Sequence, residues 1–526
     1  MSRDTHHRDT KSTKKTFVFL RVSSWINLEK LSRLLWGFVL LTLPVTSFRF
    51  FPFLSKHTYV RPLAFYPLAL LYLVLFLRLM RKEIKLPWSN TLPPLLLFFA
   101  FTILVTAGGA LLAPISLYTH DYWGRALRAF LTFAIGLSFF IAALWMHRDE
   151  DDLRHSLKWL YAGLFITILW VGVQAIALHT PLLKKGQVSA WQEIFSVRGL
   201  TKVRRVSGFA FEASWLAGQI VTLYLPWLFA SIITRFRVTK YKWLEPLLFI
   251  GAVASLLLTF SRGGLLIGIA ATGLTLLISG RKAISRAFSW FFIFKKNNRQ
   301  DAKNTKKVLK TPREKTLKTS RSWHLSGSKF THYATRAILF IIIIAMAWGG
   351  VSFITEQEYV ARLWTVEANS LSDYFVQINA GGRLTYLWAG AKAYAQYPIL
   401  GTGLGSAGLY LFQQYPDWAL YNNPEVSRQL SPVTQLYPNT KNLYLRILIE
   451  TGVIGFSIFG SFIFSILAKI GEAFQRKQKT LAIAGLYTWF AIVIYYFMQD
   501  SFAMAELWVN FGIVLGIIHH ASQEQT

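Results

Sequence analysis

The chain has 526 residues, 53% of them hydrophobic and 16% aromatic, with a mean hydropathy of +0.37. That composition excludes a soluble globular domain, and the lack of cysteine excludes disulfides, thiolate metal sites and cysteine nucleophiles. The 57 Lys and Arg against 25 Asp and Glu give a net charge of +32, but these cations sit in short loops between apolar stretches, where topology signals and anionic lipid account for them without a nucleic-acid partner.

Apolar stretches of about 20 residues recur along the chain, the length a helix needs to cross the hydrocarbon core. A spanning segment must satisfy its own backbone hydrogen bonds, and the alternation of barrel strands is absent. The sequence therefore predicts an all-α polytopic membrane protein of about 12 transmembrane helices. Residues 1–30 read as a polar cytoplasmic tail without the features of a cleaved signal peptide. Spans follow at 31–48, 62–80, 92–113, 124–146, 159–178 and 209–233, with the charged turn HRDEDDLRHSLK before the fifth. Spans seven and eight, 244–260 and 265–279, are separated only by Ser261-Arg262-Gly263-Gly264. Residues 281–336 carry sixteen Lys and Arg against Asp301 and Glu314. They are expected to be a disordered cytoplasmic loop whose SWFFIFKK lies on the membrane surface. The ninth span is 337–354, and 355–441 form a large extracytoplasmic loop. Spans at 442–470, 481–499 and 502–519 precede a cytoplasmic tail, 520–526.

With both termini inside, the turns at Arg81, His147, Arg235, Arg281 and Lys477 face the cytoplasm and hold the basic excess. The loop from 179 to 207 then lies outside despite Lys184, Lys185, Arg198, Lys202, Arg204 and Arg205, as do Arg49, Lys56 and Arg61. External cations that defy the topology signal point to an anionic ligand.

Four stretches could carry chemistry. In TFSRGG, residues 259–264, Arg262 sits at a span end beside two glycines, placed either to grip a ligand or to snorkel to headgroups. In residues 378–408, Leu384, Leu387, Trp388, Ala391 and Tyr394/Ala395 recur at helical spacing. They predict an amphipathic helix along the outer face with Arg383 in its first turn, where an anion would meet a guanidinium and a helix N-terminus. The following GTGLG lacks the GK[ST] of a nucleotide loop. In residues 437–456, Asn439, Lys441 and Asn442 cluster where the loop returns to the membrane, and Glu450 lies deeper, as an arginine's partner or a catalytic acid. In residues 204–219, Arg204 and Arg205 precede Glu212, which could act as a base or hold an arginine. The scattered histidines lack metal-ligand spacing.

In order, SRGG, GGRxxYLWxGAKxxxxYPxxGTGLG and KNLYLRxLxETGxxGF resemble the O-antigen ligase and polysaccharide polymerase superfamily, the Wzy/WaaL type, over residues 204–456. The resemblance implies a bundle similar to the GT-C class and substrates carried on undecaprenyl pyrophosphate. A sugar hydroxyl would attack the anomeric carbon and the lipid pyrophosphate would leave, with no metal, nucleotide or other cofactor. It implies that Arg262 and Arg205 (or Arg204) hold the pyrophosphate, for which arginine is suited, and that Arg383 supports the donor or growing chain. Family ligases carry a histidine where this chain has Lys441. An ordinary lysine is protonated at neutral pH. Either its pKa is lowered beside Arg262, or it binds phosphate and Glu212 or another acid takes the proton. This departure favours a polymerase of exported polysaccharide over a ligase acting on a lipid or protein acceptor. The expected catalytic set is Arg262, Arg383, Arg205, Lys441 and Glu212. Arg204, Asn439, Asn442, Tyr444, Trp388 and Glu450 are expected to contact substrate. The expected partners are the lipid-linked donor, a glycan acceptor, membrane lipid and a chain-length regulator, in a bacterial inner membrane. A transporter of the lipid-linked glycan is the competing class, although no repeated halves with broken helices are visible.

Overall fold

The computed structural model describes residues 27–51, 58–112, 116–200, 204–279, 358–378, 380–419 and 423–523. The basic loop 281–336 with its SWFFIFKK and the ninth predicted span, 337–354, lie outside them, as do most of the two predicted tails.

Every regular element among the described residues is helical, and strand-like pairing is limited to isolated bridges such as Ser47 with Arg61 and Phe48 with Ser196. The helices are α1 (Leu28–Thr42), α2 (Phe65–Met80), α3 (Leu92–Leu112), α4 (Tyr122–Met146), α5 (Glu150–His179) and α6 (Lys185–Phe195). Next come α7 (Ala213–Gln219), a π turn (Ile220–Tyr224), α8 (Leu225–Thr234), α9 (Leu244–Leu258) and α10 (Arg262–Ser279). The loop region holds α11 (Glu358–Thr365), α12 (Leu371–Gln377), α13 (Gly381–Gln396), α14 (Ala407–Phe412) and α15 (Pro424–Leu430). The chain closes with α16 (Leu443–Gln475), α17 (Lys479–Tyr495) and α18 (Val509–Gln523). Six helices among the described residues are long and apolar enough to cross a membrane: α3, α4, α5, the continuous Ala213–Thr234 unit, α10 and α16. Helices α2, α9 and α17 are shorter and apolar.

Polar side chains tie alternate helix ends together. Arg33 at the start of α1 pairs with Asp152 at the start of α5 (2.9 Å), and Arg78 at the end of α2 donates to Ser32 Oγ (2.8 Å). Ser156 Oγ meets both His147 Nε2 (2.7 Å) and Trp36 Nε1 (2.9 Å). Thr234 and Thr480 join the end of α8 to the start of α17 (2.8 Å). The turns at Arg81, His147, Arg235 and Lys477 therefore gather at one end of an antiparallel bundle, and the intervening turns gather at the other.

Two helices depart from regular geometry, and each break is closed by its neighbours, as an apolar setting demands. At the π turn, the carbonyls of Thr222 and Leu223 accept from Asn510 Nδ2 (2.8 and 3.1 Å), while Asn510 Oδ1 accepts from Trp227 Nε1 (2.8 Å). In α16, Gly452 takes φ 61°, ψ −170° and breaks the helix. The GTGLG stretch fills that break. The Thr402 and Gly403 amides donate to the Ile449 and Glu450 carbonyls (3.0 and 2.8 Å), and the Val453 amide donates to Pro398 (2.8 Å). Tyr122 Oη anchors the same loop to α3 and α4 through the carbonyls of Thr402 and Thr106 (both 2.9 Å).

Two sequence expectations change. The charged turn before the fifth span is the first part of α5: Asp149 caps it, and Glu150, Asp151 and Asp152 suit its positive N-terminus. The helix expected near Arg383 is α13, but it buries Gly381, Thr385, Tyr386, Ala389, Gly390 and Ala393. The predicted apolar stripe points outward, with Leu387 52% and Trp388 49% exposed. Small residues let backbones approach closely within the protein, so the apolar side chains are left for the surroundings.

Candidate functional site

At the end opposite the Arg81–His147–Arg235–Lys477 turns lies a cavity of about 970 Å³. Its walls come from the turn between α1 and α2, α4, α7 and the segment before it, the α9–α10 turn, α11, the α12–α13 connection, α13, α14, the Tyr437–Lys441 segment, α16 and the α17–α18 connection. Among the described residues, seven cations line it (Arg125, Arg128, Arg205, Arg262, Arg383, Lys441 and Arg446) against the carboxylates of Glu212, Glu450 and Asp500.

The α9–α10 turn positions the first group. Arg262 opens α10, where Ser261 Oγ caps the Gly264 amide (3.3 Å), and its Nη2 donates to the Ile378 carbonyl (2.8 Å). Arg205 is held against the same turn, with Nε donating to the Thr259 carbonyl (2.7 Å) and the Val206 amide donating to Leu258 (3.3 Å). Two guanidiniums distant in sequence are thus fixed to one short turn, Thr259–Ser261, between α9 and α10. Arg383, exposed in the first turn of α13, reaches the cavity from the loop side. Glu212 stands at the N-cap of α7, where one oxygen accepts from the Ser214 hydroxyl and the other pairs with Arg198 (3.4 Å).

The segment returning to the membrane builds the second group. Lys441 takes a left-handed φ of 51°, a conformation that a non-glycine residue keeps only when its neighbours enforce it. Asp500 Oδ2 supplies that restraint by accepting the Lys441 amide (3.1 Å) and the Thr440 hydroxyl (3.4 Å). Arg446 Nε bonds both oxygens of Glu450 (3.0 and 3.1 Å), and its Nη1 donates to the Asp500 carbonyl (2.7 Å). The Gly405 and Ala407 amides also face Glu450. Its charge is spent on Arg446 and on the loop that mends α16. Beside this group, Arg125 lies 3.5 Å over the Tyr437 ring, and Tyr437 Oη donates to the Gly405 carbonyl (2.7 Å). Burial pushes the Tyr437 phenol above its usual range, and the Arg125 charge acts in the opposite direction.

The structure brings Arg205, Arg262, Arg383, Lys441, Glu212, Asn439 and Glu450 to one cavity. It leaves four expected residues off the wall. Arg204 is exposed outside the cavity, and Trp388 lies on the outer face of α13 near Lys392. Asn442 Oδ1 caps α16 through the Leu445 amide (3.1 Å), and Tyr444 Oη donates to the Val493 carbonyl (2.8 Å). Four charged wall residues among the described residues escaped sequence reasoning: Arg125, Arg128, Arg446 and Asp500. Arg446, one turn before Glu450, carried a readable i,i+4 signal. Arg125 and Arg128 were visible as cations opening a predicted external span start. Asp500 had no local signal, because its role arises from a turn 59 residues away.

No curated protein matches the chain. The family model Wzy_C, described as O-antigen ligase, matches residues 316–460, a region that contains Arg383, Lys441, Arg446 and Glu450. The matched region is therefore similar to an O-antigen ligase domain, and it adjoins a bundle of apolar helices of membrane-spanning length.

Proposed function

We propose that this protein transfers a glycan from undecaprenyl pyrophosphate to a sugar hydroxyl on the outer face of the bacterial inner membrane, as a polysaccharide polymerase. The observation that carries this reading is the single cavity in which Arg205 and Arg262, fixed to one turn, face the loop residues Arg383 and Lys441 with cations in excess.

In the reaction, the acceptor oxygen bonds to the anomeric carbon while the bond from that carbon to the diphosphate oxygen breaks. The diphosphate takes the electron pair. Arg205 and Arg262 meet the charge that grows there. Donors aimed at developing charge in a water-poor site are worth roughly 3–4 kcal/mol each. The acceptor's proton goes to a carboxylate on the wall. Both oxygens of Glu450 are held by Arg446, and both oxygens of Glu212 are engaged. Asp500 uses only Oδ2, and among the described residues no donor reaches its Oδ1. That oxygen suits the general base, and it leaves Lys441 to bind phosphate as a cation.

The favoured test is reconstitution in proteoliposomes with a lipid-linked oligosaccharide in the outer leaflet. Elongated lipid-linked product is the expected outcome, with none from Arg262→Ala. Passage of unaltered lipid-linked sugar between leaflets would instead establish a transporter. Transfer to a lipid A-core acceptor without elongation would establish a ligase.

A further inference from the structure

Arg125 is the cation the transfer reading leaves without work. It sits near the start of α4, a helix that also carries Arg128 one turn on, where i,i+3 spacing puts both on one face. Its Nε is buried with no hydrogen-bond partner, and none of the ion pairs among the described residues includes Arg125 or Arg128. Tyr437 meets it with its ring and phenol. The cations acting on it most strongly are Arg446 and Arg128, which repel it, and Arg446 already has Glu450. The position is rigidly built: Gly405 packs against the Arg125 backbone carbonyl, and the loop carrying Gly405 is pinned by Tyr122 and Tyr437. A guanidinium whose Nε is shut from water, with one tyrosine and no carboxylate against it, keeps a desolvation cost that the stacked ring and its phenol offset only in part. Nearby, Asn439 Oδ1 is likewise buried without a partner.

This place is separate from the Arg205–Arg262 turn. The α17–α18 connection runs between them: Met498 packs on Gly263 beside Arg262, and two residues later the Asp500 carbonyl accepts from Arg446, the neighbour of Arg125. Asp500 thus stands between the two arginine groups. A donor whose diphosphate lies on Arg262 and whose anomeric carbon approaches the acceptor hydroxyl near Asp500 leaves the far side of the cavity to the acceptor.

Resting on the transfer reading, we infer that Arg125 and Arg128, with Tyr437 and Asn439, form a second oxyanion subsite that holds a negative group carried by the acceptor. A uronate-type carboxylate on the acceptor sugar and the diphosphate of a second lipid-linked glycan share this chemistry.

The test uses the full chain in nanodiscs and two probes, inorganic pyrophosphate and glucuronate, titrated by calorimetry. Wild type is expected to bind two equivalents of pyrophosphate. Arg125→Gln should lose one and Arg262→Gln the other, each with at least a tenfold weaker affinity at the altered site. Glucuronate binding that is lost in Arg125→Gln and kept in Arg262→Gln assigns the subsite to a sugar carboxylate. Pyrophosphate alone at that subsite assigns it to a lipid diphosphate. Arg125→Lys, which keeps the charge and loses the planar stack, should retain weakened binding and serves if the Gln variant does not fold. Unchanged stoichiometry and affinity for both probes in Arg125→Gln and Arg125→Lys would overturn the subsite. Unchanged pyrophosphate binding in Arg262→Gln would instead count against the transfer reading and leave the Arg125 result standing.

Discussion

A guanidinium at a membrane surface has water and headgroups as easy partners, so its orientation must be enforced if it is to serve a substrate. Arg262 is enforced by the Ile378 carbonyl and Arg205 by the Thr259 carbonyl. Each bond fixes one edge of the guanidinium and so sets the plane in which it faces the cavity. Arg262→Ala should lower the rate of glycan elongation about 10²–10³-fold. Arg262→Lys should recover only part of that, since an ammonium cannot bond the Ile378 carbonyl and a phosphate in the same plane. Gel-resolved chain length from purified enzyme reads both, and parental elongation by Arg262→Ala would remove the residue from the mechanism. Asp500→Asn makes the complementary case. The amide oxygen can still accept from the Lys441 N–H, so the turn persists, while the proton acceptor is gone. Turnover should fall about 10²–10⁴-fold with donor binding unchanged. Weaker donor binding by the same factor would give Asp500 a purely structural part. Arg262, Arg383 and Lys441 were legible in the sequence because cations on a predicted external surface stand out. Asp500 was not, because a single acid near the end of a span means nothing until the chain folds Lys441 onto it.

Helix α16 shows why elements can be located from sequence while their use cannot. Its apolar run announced a span, but not that Gly452 breaks it or that the GTGLG stretch supplies the missing hydrogen bonds. The glycine-rich loop lacks the lysine of a nucleotide loop, and in the structure its amides bond the backbone of another segment. The outward stripe of α13 has a related cause: in a lipid setting, apolar periodicity marks whichever face leaves the protein, and small residues mark the packed one. The break has a measurable consequence. Alanine at φ 61°, ψ −170° occupies a region open essentially to glycine, at a cost of about 1–3 kcal/mol from the backbone alone, and its Cβ would press on the Ile399 carbonyl. Gly460 lies later in the same helix with open space where a Cβ would stand. Gly452→Ala should lower the thermal unfolding midpoint in nanodiscs and disturb the Glu450–Arg446 pair, while Gly460→Ala should leave both intact. Equal midpoints for the two variants would mean that the loop does not depend on the break.

At the scale of the whole molecule, the alternation of helix ends decides whether the chemistry is possible. Every turn that lines the cavity belongs to one end, and the turns at Arg81, His147, Arg235 and Lys477 belong to the other. Six helices among the described residues are long and apolar enough to cross a bilayer, and spanning helices put the two ends in different compartments. A lipid diphosphate carrying an exported glycan reaches the arginines only if the cavity end faces outward. The basic excess of the opposite turns argues for that orientation, and the lack of cysteine makes it directly measurable. Leu182, between α5 and α6 on the cavity side, is 79% exposed, and Lys477 is exposed in the turn between α16 and α17. In spheroplasts, Leu182→Cys should react with a membrane-impermeant maleimide within minutes, and Lys477→Cys only after permeabilisation. Labelling in the reverse order would put the arginine-lined cavity in the cytosol, where donors with exported glycans are absent, and the transfer reaction would have to give way to cytosolic lipid-phosphate chemistry.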